Sequence, residues 1–326
     1  MRYLFIISNE INSKELRKLE DTIASLNEDM RNHIELRYIQ NASQSTDYAV
    51  EASEQSDDNV TIVVCGGDNV IHEVVNGLAY RSTPLAIIPL GSVNHFAQTI
   101  TPDYLLQHPE KGVLMLQDLN VVPIDLVRID SYDVLGNHLP VWSRYFINIA
   151  SFGFETTALY YAKEFLDKNK KADRQMANIQ GALRGFQKMK SYKMDYSLEL
   201  IDSETNEICE DEEFLSLSIC NGKYNNGCCL APNAKIDDGV LDICVTENRG
   251  RLHNGKLFIM AGLDGKHVQD ESVRMFKATS GIITCKDNSF QLSGNCDGEL
   301  IYGHRIRFEV FPEALNLAYF PKQEKR

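Results

Sequence analysis

The sequence predicts an α/β domain built on a parallel sheet and, after it, a β-rich domain. Three observations carry that prediction. Short apolar and β-branched runs alternate with helical patterns through the first third of the chain, and such alternation implies parallel strands joined by right-handed crossovers. Two glycine turns, Cys65-Gly66-Gly67-Asp68 and Leu90-Gly91-Ser92-Val93-Asn94, each lead from a strand into a helix, one strand-helix unit apart. From Tyr145 onward the chain turns β-rich.

Residues 3–7, Tyr-Leu-Phe-Ile-Ile, form a buried-strand pattern, and Leu16, Leu19, Ile23 and Leu26 then mark one face of a helix with Ser13 as its cap. Ile34 to Ile39 supplies the next strand, residues 45–55 a more polar helix, and Val60 to Val64 the strand entering the first glycine turn. Ile71, Val74, Val75 and Leu78 recur at helical spacing after it. Leu85 to Pro89 is a strand, and the second glycine turn opens another helix. Leu119 to Val127 crosses into the second domain, and residues 306–311 and 315–320 return the chain to the first. The domains are expected at 1–127 with 306–326, and at 128–305, with hinges near 126–130 and 304–308.

Glycines let the backbone come close to a ligand, and the N–H groups opening a helix favour an anion. Asp68 suits a cation bound to that anion better than a bare phosphate, which points to a nucleotide triphosphate with a divalent metal. Gly-Gly-Asp is also a common plain exit from a strand. Two such turns can face each other across the carboxyl ends of a parallel sheet, where α/β proteins place ligands.

The chain has 326 residues, 43% hydrophobic and 24% charged, as in a water-soluble globular protein of two ordinary domains. No apolar run approaches the roughly 18 residues that span a bilayer, and Met1 to Ser8 is too short and strand-like for a signal peptide. A cytoplasmic location is expected, with peripheral contact at the inner membrane surface. The eight cysteines lack zinc-type spacing and read as reduced core thiols, and a net charge of -13 argues against nucleic acid as a partner. Lys163 to Lys193 departs from that balance, with nine basic and three acidic residues around the apolar positions Met176, Ile179, Leu183 and Phe186. Such a stretch fits an anionic membrane surface, or a solvated helix packed on the second domain. A second copy of the chain, as a homodimer, is a partner the sequence admits.

Gly66, Gly67, Asp68, Glu73, Val74, Asn76, Gly77, Leu78, Pro89, Gly91, Asn94, Phe96 and Ala97 match in register the motifs Gly-Gly-Asp-Gly-Thr, Glu-Val-x-Asn-Gly-Leu and Pro-x-Gly-Thr-x-Asn-Asp-Phe-Ala. On these residues the chain resembles the diacylglycerol kinase and sphingosine kinase superfamily, especially its soluble bacterial lipid kinase branch. Asn221-Gly222, Ala231 to Asp242 and Asp297-Gly298-Glu299 are similar to that family's second-domain signatures, as is Asn148 to Gly153. The resemblance runs from about residue 3 to 320. It implies a Rossmann-like nucleotide-binding domain, a β-sandwich-type second domain, and ATP-dependent, Mg²⁺-requiring phosphorylation of a lipid hydroxyl such as that of diacylglycerol, in a cleft between the domains.

By the same resemblance, Gly66, Gly67, Asp68, Asn69, Glu73, Gly91, Ser92 and Asn94 belong to the nucleotide site. Asp68 and Asp125 belong to the metal network, and Asp237 and Asp238 fit a structural cation or an ordinary acidic turn. Asp297 is the general base, with Glu299 near metal and phosphates; Asp-Gly alone is a hairpin signal. The sequence departs from the family in four places. Ser8-Asn9-Glu10 replaces Asn-Pro in the first loop, Asn69 stands for a Gly where a positive φ is expected, Val70 for Thr, and His95 for Asp. His95 reads as a histidine at a helix start or as a ligand to a softer metal. These departures motivate a second reading, a relative that binds lipid or nucleotide without efficient phosphoryl transfer. A kinase acting on a soluble substrate such as NAD is a third, set against by the Asn221 to Asp242 signature.

Overall fold

A computed structural model describes residues 1–54, 59–91, 93–169, 172, 174–201, 206–210, 213–286 and 292–321, apart from the side chains of Arg174 and Gln175. The chain forms two compact units, Met1–Ile124 with Glu313–Arg326, and Asp125–Pro312.

The first unit runs β1 (Arg2–Ile7), α1 (Ser13–Ala24), α2 (Glu28–Asn32), β2 (Ile34–Tyr38), α3 (Gln44–Glu54), β3 (Val60–Gly66), α4 (Asp68–Leu78), β4 (Leu85–Pro89), α5 (His95–Ile100) and α6 (Asp103–Gln107). β1 pairs in parallel with both β2 and β3, and β3 with β4. Leu317, from the last strand of the chain, pairs in parallel with Leu85 of β4. The chain thus winds from β1 to β2 on one side and resumes at β3 on the other, so the strand order reverses between β1 and β3. Such a reversal opens a crevice at the carboxyl edge of a sheet. Every residue of β3 and β4 is buried, as a parallel strand covered on both faces requires. The expected cap moves by one residue: Asn12, rather than Ser13, caps α1, its Oδ1 accepting the Glu15 N–H at 3.0 Å. Asn12 keeps extended backbone (φ -66°, ψ 149°), which is the cap geometry, while Ser13 is already helical.

The second unit is mainly antiparallel. β5 (Asn120–Tyr132) leads into it, followed by β6 (Arg144–Phe146), β7 (Ile149–Gly153), the helices α7 (Phe154–Lys168) and α8 (Arg174–Gln187), β8 (Tyr192–Leu200), β9 (Glu207–Cys209), β10 (Glu213–Cys220), β11 (Tyr224–Asn225), β12 (Cys228–Cys229), β13 (Leu241–Glu247), α9 (Arg251–Gly262), β14 (Val273–Cys285), β15 (Leu292–Cys296), β16 (Glu299–Gly303) and β17 (Arg305–Tyr319). The strand order is β16-β15-β7-β10-β13-β14-β17, and β8 pairs with both β10 and β14. Alternate residues of these strands, among them Phe146, Phe152, Phe214 and Phe308, fill one apolar core. β7 turns directly into α7 at Gly153, where φ is +110° and a β-carbon would lie 2.5 Å from the Leu215 carbonyl oxygen. That sharp turn places Glu155 in the first turn of α7, over the sheet.

Glu155, half-buried in the first turn of α7, is the unusual residue of this unit. Its Oε2 is buried with no hydrogen-bond partner, and burial pushes its carboxyl up to about 7, opposed by its own backbone N–H and by Ser216. A folded-state value above the unfolded one means that stability is fully present below about pH 4.5 and is lost as pH rises through about 7. Glu155→Gln should therefore match the wild type in urea denaturation near pH 4.5 and exceed it at pH 8, by roughly 3 kcal/mol beyond any pH-independent difference. A pH-independent gap would show that the carboxyl does not ionise on that path.

Candidate active site

At the carboxyl edge of the first sheet the loops after β1, β3 and β4 meet. Ser8 donates its N–H to the Cys65 carbonyl at 2.9 Å, and a β-carbon on Gly66 would lie 3.1 Å from Ser8 Cβ. The two glycine turns touch backbone to backbone. A β-carbon on Gly91 would come 2.4 Å from Gly67 Cα, and one on Gly67 would come 2.6 Å from the Val93 carbonyl oxygen. Close approach, not backbone handedness, is what demands glycine here, since Gly67 sits at φ -99° as the cap of α4. Asn69 corrects the expectation of a positive φ: it lies in the first helical turn of α4 and is not among the left-handed residues, so the turn accepts it without strain.

Asp68 ties the two turns together. Its own N–H donates to the Val93 carbonyl at 3.1 Å. Its carboxylate accepts the N–H groups of His95 at 2.8 Å and Phe96 at 3.2 Å, so α5 is capped by a side chain from another helix. His95 Nδ1 lies 3.1 Å from Asp68 Oδ2, and both side chains are largely buried. Histidine at this position therefore faces the acid of the turn. Asn94 closes the second turn on itself, donating Nδ2–H to the Gly91 carbonyl at 2.6 Å and accepting the Gly91 N–H at 3.3 Å. Ser92 lies outside the described residues. Val70 is buried against Gly66, and Glu73 accepts the Thr46 hydroxyl at 2.8 Å, linking α4 to α3.

The second unit gathers the other predicted acids into two clasps. Asp297 and Gly298, at φ +49° and +90°, form the two-residue turn between β15 and β16. The Asp297 carboxylate turns inward and accepts the N–H groups of Ile147 at 2.9 Å, Asn148 at 3.2 Å and Ile149 at 3.0 Å. Asp125 is buried and accepts the Gly239 N–H at 2.7 Å, holding the Asp237-Asp238-Gly239 turn, in which Asp237 and Asp238 are exposed. Asn221 joins the two clasps, donating from Nδ2 to the carbonyls of Asp125 at 3.2 Å and Ile147 at 2.8 Å. Glu299 pairs with Lys163 of α7 at 2.9 Å.

Asn148 and Asn221 were not among the predicted site residues, yet their Oδ1 atoms are buried without a donor beside the Asp297 clasp. Unpaired buried acceptors are costly and concentrate where a ligand completes them. Their sequence signal was present, in Asn148 five residues before Gly153 and in the pair Asn221-Gly222. Among the described residues no three His, Cys, Asp or Glu side chains converge to hold a metal ion.

A parallel unit with glycine turns at its carboxyl edge, carried with a largely antiparallel unit, is the fold of the diacylglycerol and NAD kinases. The structure aligns with that of a putative diacylglycerol kinase from Bacillus anthracis str. Sterne over 98% of this chain and 97% of that one, at TM-score 0.69 and 22% identity. It aligns with yeast NADH kinase over 100% and 84%, at TM-score 0.53 and 10% identity. Residues 2–129 match the diacylglycerol kinase catalytic domain, and residues 149–319 the YegS C-terminal NAD kinase beta sandwich-like domain. Similar proteins include the diacylglycerol kinase of Staphylococcus saprophyticus, 28% identical over 92% of this chain and 89% of its own length. A probable YegS-like lipid kinase of Xanthomonas euvesicatoria is 27% identical over 79% and 78%. The chain belongs to the diacylglycerol kinase superfamily, in the bacterial branch that holds these relatives.

Because a β-carbon at Gly91 has nowhere to go but into Gly67 backbone, Gly91→Ala should separate the two turns and cost about 2 kcal/mol or more in urea denaturation. Unchanged stability would show that the turns are not held in contact.

Proposed function

We propose that the protein is a lipid kinase that transfers the γ-phosphoryl group of ATP to the hydroxyl of a diacylglycerol-like lipid. The observation that carries this reading is the contact of two glycine turns at the carboxyl edge of a parallel sheet, cross-linked by Asp68. Backbone that close to the edge, in a chain of this family, supports a polyphosphate site at Gly66, Gly67 and Gly91, with Asn94 fixing the second turn. Binding and alignment supply much of the catalysis in phosphoryl transfer, so a rigid double turn is a fitting component.

Mg²⁺ fits this donor set as an ion carried in by the nucleotide. A small hard cation bound by one carboxylate, phosphate and water needs no protein cage, and Asp68 is the carboxylate at the turn. When bound, the ion offsets charge on the phosphates. Asp125 is engaged by the Gly239 N–H of the Asp237-Asp238-Gly239 turn, which supports a structural role for Asp125 in the second unit. Asp297 is the residue we assign to accept the proton of the attacking hydroxyl. Three amide donors fix the orientation of its carboxylate, and a base must be held to act at one atom.

A second reading, binding without efficient transfer, draws on His95 and Val70. His95 occupies the face of Asp68 that the family's acid would share, and Val70 offers no hydroxyl. With labelled ATP, Mg²⁺ and mixed micelles of diacylglycerol, phosphatidylglycerol or sphingoid base, the kinase reading expects labelled lipid. Asp297→Asn should lower kcat about 100-fold or more while near-ultraviolet circular dichroism stays that of the wild type. If no lipid is labelled while nucleotide raises Tm, and His95→Asp with Val70→Thr restores transfer, the second reading holds.

The basic helical hairpin supports contact with a membrane surface. One face of α8 packs on α7 so closely that a β-carbon on Gly181 would meet the Ala158 carbonyl at 2.3 Å. The other leaves Met176, Ile179 and Leu183 more than half exposed, at 51%, 55% and 55%. No described helix is long and apolar enough to cross a bilayer. Exposed apolar side chains on a helix within a basic stretch of sequence suit the interface of an anionic bilayer. Ile179→Glu with Leu183→Glu should weaken sedimentation with phosphatidylglycerol vesicles at least tenfold; equal sedimentation would remove this hairpin as the contact.

A further inference from the structure

The amides that hold the Asp297 carboxylate belong to three consecutive residues, Ile147, Asn148 and Ile149. They do not share it evenly. Oδ1 accepts the Asn148 N–H at 3.2 Å and the Ile149 N–H at 3.0 Å, while Oδ2 accepts the Ile147 N–H. The two amides on Oδ1 lie in the peptide planes 147–148 and 148–149, whose carbonyl oxygens face the other way. Both of those oxygens are held by Asn221. Its Nδ2 donates to the Ile147 carbonyl at 2.8 Å, and its backbone N–H donates to the Asn148 carbonyl at 2.9 Å, with the Gly222 N–H beside it at 2.9 Å. A bond to a peptide carbonyl fixes the plane and polarises the N–H at its other end.

Sheet register puts Asn221 in that place. Cys220, the last residue of β10, pairs with Ile149 of β7, so the next residue stands opposite Asn148 where the strands part. From there the second Nδ2 proton reaches the Asp125 carbonyl at 3.2 Å, which anchors the side chain in the strand leading into the unit. Asn221 is fully buried, and its Oδ1 has no hydrogen-bond partner. A buried amide oxygen left unpaired lowers stability, so the residue is kept for what it donates. A side chain that only accepts, such as an ionised aspartate of the same shape, could hold neither carbonyl.

We propose that Asn221 is a positioning residue for phosphoryl transfer: it fixes the two peptide planes that bind Asp297 Oδ1 and thereby holds the base in one orientation. The inference rests on the reading of Asp297 as the base. Asn221 acts through the 147–149 backbone, so its contribution to the rate exists only while position 297 carries a carboxylate.

The test compares the full chain with Asn221→Ala, Asp297→Asn and the double variant, using labelled ATP, Mg²⁺ and diacylglycerol micelles. Asn221→Ala should lower kcat about tenfold or more, with KM for ATP and for lipid within about twofold of the wild type. In the Asp297→Asn background the same change should cost no more than about a further twofold, whereas a role in general packing multiplies the two losses. Amide hydrogen exchange by NMR reads the loop without any transfer: Asn148 and Ile149 should exchange about tenfold faster or more in Asn221→Ala, and the amides of β14 at the wild-type rate. Wild-type kcat in Asn221→Ala, a loss carried by KM, losses that multiply, or unchanged exchange at Asn148 and Ile149 each overturn the inference and leave Asp297 as the base. Wild-type kcat in Asp297→Asn, or no labelled lipid from the wild type, overturns the reading of the base and this inference with it. Should Asn221→Ala fail to fold, Asn221→Ser takes its place in every comparison.

Discussion

The contact between two stretches of bare backbone, at Gly67 and Gly91, is the constraint on which the candidate nucleotide site depends. Neither position tolerates a β-carbon, because the neighbouring atoms are main chain and cannot rotate away. The contact needs β3 and β4 adjacent and in register, and Gly66 opposite Pro89 provides that. It also needs the second turn held shut, which Asn94 does, and the two turns linked, which Asp68 does. A carboxylate that caps one helix from the start of another couples both helix starts to one residue.

The second unit solves a different problem with the same chemistry. Asp125 and Asp297 are buried acids, and each accepts backbone N–H from a loop distant in sequence, Asp125 one and Asp297 three. Charge-assisted bonds of this kind fix a loop more firmly than neutral ones. The acceptors left over, Asn148 Oδ1 and Asn221 Oδ1 beside Asp297 and Glu155 Oε2 in the first turn of α7, mark two places where satisfaction is incomplete. Stability is lowered at such points, and proteins retain them where a ligand uses the group.

Much of the fold was legible because period and punctuation are local properties. Leu16, Leu19 and Ile23 mark the inner face of α1, and Ile71, Val74, Val75 and Leu78 that of α4, as their spacing predicts. The misses are local too, but they turn on φ and ψ. Ser13 and Asn12 are both good caps, and only backbone geometry selects Asn12. Asn69 was read against a family glycine with a positive φ, whereas it lies inside the first turn of α4 and is not left-handed.

The sequence by itself determined the alternation of strands and helices in the first unit, the glycine turns and the family, since these rest on residue type and spacing. Tertiary structure alone decided what each acid touches. Asp68 reaches amides 27 and 28 residues away, and Asp297 reaches amides 148 to 150 residues away. No spacing rule spans such separations, because the partners are brought together by sheet register and by turns whose geometry depends on packing. The same holds for Glu155, an ordinary helix-start acid in the sequence that becomes half-buried, with its Oε2 enclosed, only when α7 is laid over the sheet.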